Sequence, residues 1–522
     1  MQFSQSDSSR EFLRRNLASL EQKIFDFVNQ HSSIRSEPSS TYLAVTLPAE
    51  GLSPWQWFTH QPDRGTLFFW EIPERNQSHL AIGVIKRFRA TGESRFEELS
   101  RLFERFRPKV LTLNLSEIEE HEIPLLSGGY SFEPYNVSKE WREFGSSQFF
   151  LPEVLLTQRD SRSAVTLLFE LNSELSFEKS LREQLEKSFV QQELSWTEDR
   201  VDVGKTVSGP ISSEDPPSRI NLKSEDSDLP LISMTSSQRI DELRSMETKK
   251  SWIQRVDRAI EKIKGGAFQK IVLAREVLLE SGADFSAIPM IDHLRHEFPE
   301  CSIFAVRMES GKLFLGASPE RLLKIRQSEL ETDALAGSAP RGTHEIEDNQ
   351  LSTDLIKSQK DRFEHQIVLQ EIVDSLKDFS SNVVYPTTPG IRKLKNVQHL
   401  HTPVRATVDF NAPVHQILGN LHPTPAVGGY PVKSALPFIP ELEQLDRGWY
   451  AGTMGWFNYS GNADFVVSIR SSFVDSEHIH LYAGCGIVEH SDPDLEWEET
   501  CLKLESLYSA ARIALQESGA TE

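Results

Sequence analysis

The sequence predicts an α+β protein with largely antiparallel sheets flanked by helices. Short runs of β-branched and aromatic residues are followed by long helical periods, without the regular strand–helix–strand beat of a parallel sheet. No internal repeat is evident. The composition, 38% hydrophobic and 25% charged over 522 residues, is that of a globular protein with a sizeable core.

Along the chain, Leu13, Leu17, Leu20, Ile24 and Val28 mark an amphipathic helix interrupted by charges. It lacks the apolar core of a signal peptide, so a cytoplasmic protein is expected. Up to residue 202, helical periods mix with β-rich stretches such as Gly65–Trp70 and Ala164–Phe169, and no chemical motif stands out. Residues 203–240 turn to Gly, Ser, Pro and acidic side chains, which reads as a linker or surface loop between this divergent N-terminal part and a denser region at 245–515.

In that region the periods predict a helix at about 251–265, a buried strand at Ile271–Ala274, and strands at Ser302–Arg307 and Leu313–Ala317. A helix follows at 355–376, then a strand at Val466–Arg470. A glycine-rich turn around Gly484 and Gly486 leads to a final helix, capped by Asp492 with Pro493 in its first turn.

The formal charge of −21 is spread along the chain, and its field repels nucleic acid and anionic membrane surfaces. An anionic substrate must then be captured by local cations or by a metal. The three cysteines, Cys301, Cys485 and Cys501, have neither zinc-site spacing nor the even number of a disulfide framework, which fits a reducing compartment.

Strand alternation places Lys270 on one face with Val272 and Ala274, where desolvation favours a neutral amine able to act as a base. Read alone, a strand-end lysine reaching for water is the better account of it. Glu320, after Ser318-Pro319, sits where a strand presents side chains on a rigid support, or simply pairs with Arg321. Glu364 shares a helix face with Ile367, Val368 and Glu371, and Asp361 lies one turn earlier, giving two oxygen donors suited to a hard cation. In the last helix Glu496, Glu499 and Lys503 fall on one face, although Glu499 and Lys503 also have the spacing of a surface ion pair. Arg470 suits carboxylate recognition or a strand-edge ion pair. The Pro- and Gly-rich segment Leu421–Gly429 reads as a rigid loop forming a binding wall.

Together these segments resemble the chorismate-binding enzyme family, which includes isochorismate, salicylate, anthranilate and aminodeoxychorismate synthases. The resemblance spans Lys249 to Ser509 and rests on ordered motifs at Lys270–Arg275, Gly316–Leu322, Leu335–Gly342, Asp361–Val368, Leu421–Gly429 and Tyr482–Lys503. It implies the anthranilate synthase component I-like fold, with Mg²⁺ held by Glu364 and Glu499 and supported by Asp361 and Glu496. Arg470, the Gly484 backbone and Lys503 would bind the carboxylates of chorismate, while Gly337, Ser338, His399 and Ala426 line the ring pocket.

Within the family, a lysine matching Lys270 accompanies water as nucleophile, and the Leu421–Ala426 form resembles isochorismate synthases. The resemblance therefore implies Lys270 as base and Glu320 as acid in an isomerase that makes isochorismate for menaquinone or siderophore synthesis. A salicylate synthase, an aminating anthranilate-type enzyme and a silent chorismate-binding homologue are the alternatives. A monomer or weak homodimer is expected, with a downstream isochorismate-using enzyme as its partner. Cys485 departs from the family, where Ala is usual.

Overall fold

The computed structural model describes residues 23–24, 26–27, 41–49, 51–135, 138–171, 244–245, 248–281, 285–380, 382–395, 397–409, 413–443 and 445–517. The linker read at 203–240 lies outside them, as does most of the Leu13–Val28 segment, of which Ile24 is described and buried.

Two large sheets form the protein. The first runs in the order Arg244–Ser245, Lys270–Glu280, His478–Val488, Ser471–Val474, Leu313–Ser318 and Ser302–Arg307, continuing through Leu67–Ile72, Gln77–Ile82, Val154–Arg159, Arg162–Leu171, Thr41–Pro48 and Val110–Asn114. The second runs Val383–Val384, Val397–Thr407, Glu329–Pro340, Arg321–Arg326, Ala463–Val467 and Thr453–Phe457, then Leu126–Tyr130, Ser147–Leu151 and Lys86–Arg89. Among the described residues every pairing is antiparallel except that of Thr41–Pro48 with Val110–Asn114. Each sheet thus joins N-terminal to C-terminal strands at one seam: Phe304 stands opposite Trp70 in the first, and Gly455 opposite Gly128 in the second.

Alternation along the strands decides how the layers pack. Phe68, Trp70 and Phe314 of the first sheet share one apolar core with Tyr130, Phe149, Leu323 and Phe465 of the second. Their neighbours Leu67, Phe69, Leu313 and Leu315 point the other way and bury Ile291 and Leu294 of helix Ile288–Glu297 and Leu507 of helix Pro493–Glu517. Helices thus cover the outer face of the first sheet, while Val368, Ile372 and Leu376 of helix Gln359–Leu376 join the shared core beside the second.

Two strands cross between the sheets side by side. Leu313–Ser318 leaves the first sheet through Pro319-Glu320 and continues in the second as Arg321–Arg326. Ala463–Val467 makes the reverse passage through Ser468–Arg470 into Ser471–Val474. The crossings are bonded to each other: the Ser318 hydroxyl donates to the Val467 carbonyl at 2.6 Å, the Val467 N–H to the Glu320 carbonyl at 3.0 Å, and the Ala317 N–H to the Arg470 carbonyl at 3.0 Å.

Several local expectations are corrected. Arg470 is not on a strand; it adopts φ 50° at the crossing, where the chain changes sheet. The glycines at 484 and 486 do not form a turn but lie within strand His478–Val488, paired along its whole length with Lys270–Glu280. Gly337-Ser338 is a bulge inside strand Glu329–Pro340, with Gly337 at φ 78°. The helix read at 355–376 is two helices, Glu345–Lys357 and Gln359–Leu376, because Ser358 turns extended and its hydroxyl caps Asp361.

A buried ion pair ties the C-terminal elements together. Arg447 donates to Glu443 through Nε at 2.9 Å, and also to the Val272 and Val427 carbonyls at 2.9 and 2.8 Å. Glu443 in turn accepts from the Ala274 N–H at 2.6 Å. Removing one partner leaves a buried charge and two carbonyls unmatched. Arg447→Met is expected to lower unfolding free energy by about 3–5 kcal/mol, read from urea denaturation.

Candidate active site

The paired crossings, the bulge and the strand glycines open onto a single recess. Lys270, the first residue of its strand, is fully buried, and its Nζ donates to Glu364 Oε1 at 2.7 Å. Burial alone would raise the Glu364 carboxyl, but Lys270, Lys360 and Lys503 together hold it below the usual carboxylate range. The lysine is thus buried, as strand alternation implies, but its amine is paired with a carboxylate.

The ion pair has room because of Gly486. A Cβ there would stand 2.7 Å from Lys270 Cε and 2.9 Å from Glu364 Oε1. Gly484 is similarly confined, with the Leu273 carbonyl 2.8 Å from a would-be Cβ.

Glu320 lines the same recess and has no ion pair with Arg321, which is engaged by Glu331 at 3.0 Å. Burial pushes its carboxyl up to about 7, with Asp333 adding to the rise and Lys270 and Lys503 opposing it. Glu320 is therefore a carboxylic acid that keeps its proton close to neutral pH. Its main chain is fixed by the crossing itself, since its N–H donates to Ser318 Oγ at 3.2 Å.

The other expected residues gather here as well. Gly337, Ser338, His399, Ala426, Arg470, Gly484, Lys503, Asp361, Glu364 and Glu499 all line the recess. His399 Nδ1 lies 3.0 Å from Ser338 Oγ, and burial, with Arg470 and Lys503 nearby, keeps the imidazole neutral. Lys503 Nζ donates to the Gly484 carbonyl at 3.0 Å and to Glu499 at 2.6 Å. The i to i+4 pair read from sequence is thus present, but in the recess and not on the surface. Glu496 stands behind the lining, paired with Lys360 at 3.0 Å.

The expected carboxylates are near one another without being gathered to ligand spacing: among the described residues, no three of Asp361, Glu364, Glu496 and Glu499 bring donor atoms within 4.8 Å. Burial raises the Glu496 carboxyl, and repulsion from Glu499 raises it further. Asp361 is raised by burial and by Glu364 and Glu499. Glu364, Glu499 and Glu496 are each turned toward a lysine, which relieves this repulsion. A set of hard oxygen donors under mutual repulsion is chemically suited to a hard divalent cation.

Sequence reasoning did not find Lys360 or Tyr450, which belong to the site, and read Gly486 only as part of a turn. Lys360 precedes Asp361 by one residue and Glu364 by one helical turn, so asking what balances those carboxylates would have revealed it. Tyr450 stacks on Tyr482 at 5.1 Å, a contact between distant segments that carries no local signal.

The comparisons with known proteins bear on this geometry. The family described as chorismate binding enzyme matches residues 27–206 and 218–512. The chain belongs to this family. It is 34% identical to the salicylate biosynthesis isochorismate synthase of Pseudomonas aeruginosa over 91% of this chain and 90% of that protein. It is 31% identical to the isochorismate synthase MenF of Bacillus subtilis over 88% and 91% of the two chains. The solved structure of MenF, the menaquinone-specific isochorismate synthase from Escherichia coli, superposes with a TM-score of 0.69 at 22% identity, covering 96% of this chain and 100% of that one. Anthranilate synthase component I from Streptococcus pneumoniae shares the fold at a TM-score of 0.59 and 18% identity, over 83% and 92% of the chains. The α+β family fold is thus established, and the N-terminal half belongs to it as fully as the C-terminal half.

Keeping a buried acid protonated has a thermodynamic signature. Below the ordinary 4.5, Glu320 is protonated whether folded or not, and between 4.5 and about 7 only the unfolded chain ionises freely. Wild-type stability therefore falls as pH rises through this window. Glu320→Gln should gain up to about 3 kcal/mol relative to wild type at pH 8 and little at pH 4.5, compared by denaturation at both pH values.

Proposed function

We propose that this chain converts chorismate to isochorismate by adding water at C2 and expelling the C4 hydroxyl, with Lys270 as base and Glu320 as acid. The observation that carries the reading is that a carboxyl kept protonated near neutrality lines a recess, and a buried lysine stands directly behind its wall, bonded to the lining residue Glu364, in a chain similar along most of its length to isochorismate synthases.

Lys270 takes a proton from the attacking water, the double bonds shift, and Glu320 gives its proton to the departing hydroxyl. Water is consumed at one carbon and released at the other, so the reaction is an isomerisation. Both groups need environments that divide their roles, and the site supplies one for the acid by burial. Arg470 and Lys503 receive the substrate carboxylates, with the Gly484 backbone beside them. Gly337, Ser338, His399 and Ala426 shape the ring pocket.

Glu364 and Glu499 would hold Mg²⁺, with Asp361 and Glu496 in support. When bound, the metal supplies charge neutralisation and orientation for a substrate carboxylate. Glu364 is the residue that would be shared between the metal and Lys270, to which it is bonded at 2.7 Å. The protein acts in the cytoplasm as a monomer or weak homodimer, and its product passes to an isochorismate-using enzyme of menaquinone or siderophore synthesis. Among the described residues no helix is long and apolar enough to cross a membrane.

Purified protein incubated with chorismate and Mg²⁺ should yield isochorismate without ammonium, identified by chromatography. Salicylate with pyruvate, or anthranilate appearing only with ammonium, would transfer the chain to another branch, and no turnover would leave a silent homologue. Lys270→Ala should abolish hydration, a loss of about 10²–10⁴-fold for a general base, while thermal unfolding stays cooperative. Near-normal turnover by this variant would remove Lys270 from the mechanism.

A further inference from the structure

Away from the recess, the hairpin between strands Ser471–Val474 and His478–Val488 collects three potential ligands. Asp475, His478 and His480 each offer a donor atom within 4.8 Å of the other two. Strand alternation puts His478 and His480 on one face, and the adjacent strand places Glu280 directly opposite His478.

His478 Nδ1 and Asp475 Oδ1 are 3.7 Å apart. Neighbouring ligands of a tetrahedral ion with bonds of about 2.0–2.2 Å are separated by roughly 3.4 Å, so a small side-chain adjustment would bring both onto one ion. Asp475 Oδ1 accepts from the N–H groups of Glu477 and His478 at 2.9 and 2.8 Å, which fixes the carboxylate without removing its charge.

His480 carries the decisive detail. Its Nδ1 meets Glu276 Oε1 at 2.6 Å. An ionised carboxylate only accepts, so Nδ1 bears a ring proton, and in the neutral imidazole that a metal requires Nε2 keeps its lone pair. That Nε2 is buried and has no hydrogen-bond partner among the described residues. A carboxylate holding one imidazole nitrogen while the other keeps an unused lone pair is how metal-binding histidines are oriented. An ordinary His478–Asp475 ion pair would account for the 3.7 Å contact but would leave the buried Nε2 unexplained.

We propose that Asp475, His478 and His480 bind a divalent transition metal of the zinc class, with Glu276 orienting His480 and either Glu280 or water completing the shell. Two imidazoles and a carboxylate favour such an ion over Mg²⁺, which prefers oxygen throughout. The ion would fasten the hairpin to the end of strand Lys270–Glu280 opposite Lys270, a structural role separate from turnover.

The test is calorimetric titration of Zn²⁺ into the chelator-stripped full chain. His478→Ala and Asp475→Ala, both at partly exposed positions, should bind one equivalent fewer than wild type and lose the zinc-dependent rise in Tm, while turning over chorismate normally. Glu276→Gln should weaken this equivalent roughly 10–100-fold. Glu364→Gln should retain it, which separates it from any ion held in the recess. Unchanged stoichiometry and affinity in both His478→Ala and Asp475→Ala would overturn the assignment, as would failure of the wild type to bind zinc.

Discussion

The site depends on one constraint: two strands must pass between the sheets at the same place and in opposite directions. Each passage interrupts its ladder, and the main-chain groups left unpaired are satisfied largely by the other passage, through Ser318, Glu320, Val467 and Arg470. Glu320 and Arg470 are therefore delivered to the recess by hydrogen bonds that the fold requires for its own sake. The positive φ of Arg470 is the local strain of this arrangement, held in place by the surrounding sheet. Position here is a property of topology before it is a property of any side chain.

Around that fixed frame the charges are arranged by pairing and desolvation. Glu364 and Glu320 line one recess, yet they are driven in opposite directions, Glu364 down by its lysines and Glu320 up by burial without a comparable partner. The small difference in geometry that decides this is the proximity of Lys270 Nζ to Glu364. Gly486 permits that proximity by having no side chain, so a residue with no chemistry of its own governs which carboxylate is ionised.

Much of this was legible in the sequence because it is local. Strand Ser302–Arg307, helix Lys249–Lys264 and the Asp492 cap are written in periods and end signals over a few residues. Placing Glu364 on a helix and Glu320 at a strand end needed nothing more. What could not be read is what depends on partners far along the chain. Gly484 and Gly486 look like a turn until strand Lys270–Glu280 is set beside them, since only that neighbour explains why side chains are excluded. Arg470 looks like a strand residue because the strand on either side is real and the change of sheet leaves no compositional trace. Ser358 is the exception among the errors: its capping signal was present in the sequence but masked by helical periodicity continuing on both sides.

The lysine on each of three carboxylates has a consequence for how the recess responds to its surroundings. Lys270, Lys360 and Lys503 leave Glu364, Glu496 and Glu499 electrically balanced within the protein. A divalent cation and a doubly charged anion arriving together also sum to zero. On the function proposed above, loading the site would be an exchange of internal pairs for an imported neutral pair. In a chain carrying −21 overall, this makes the two ligands each other's best introduction, and uncouples occupancy of the interior from the charge of the exterior.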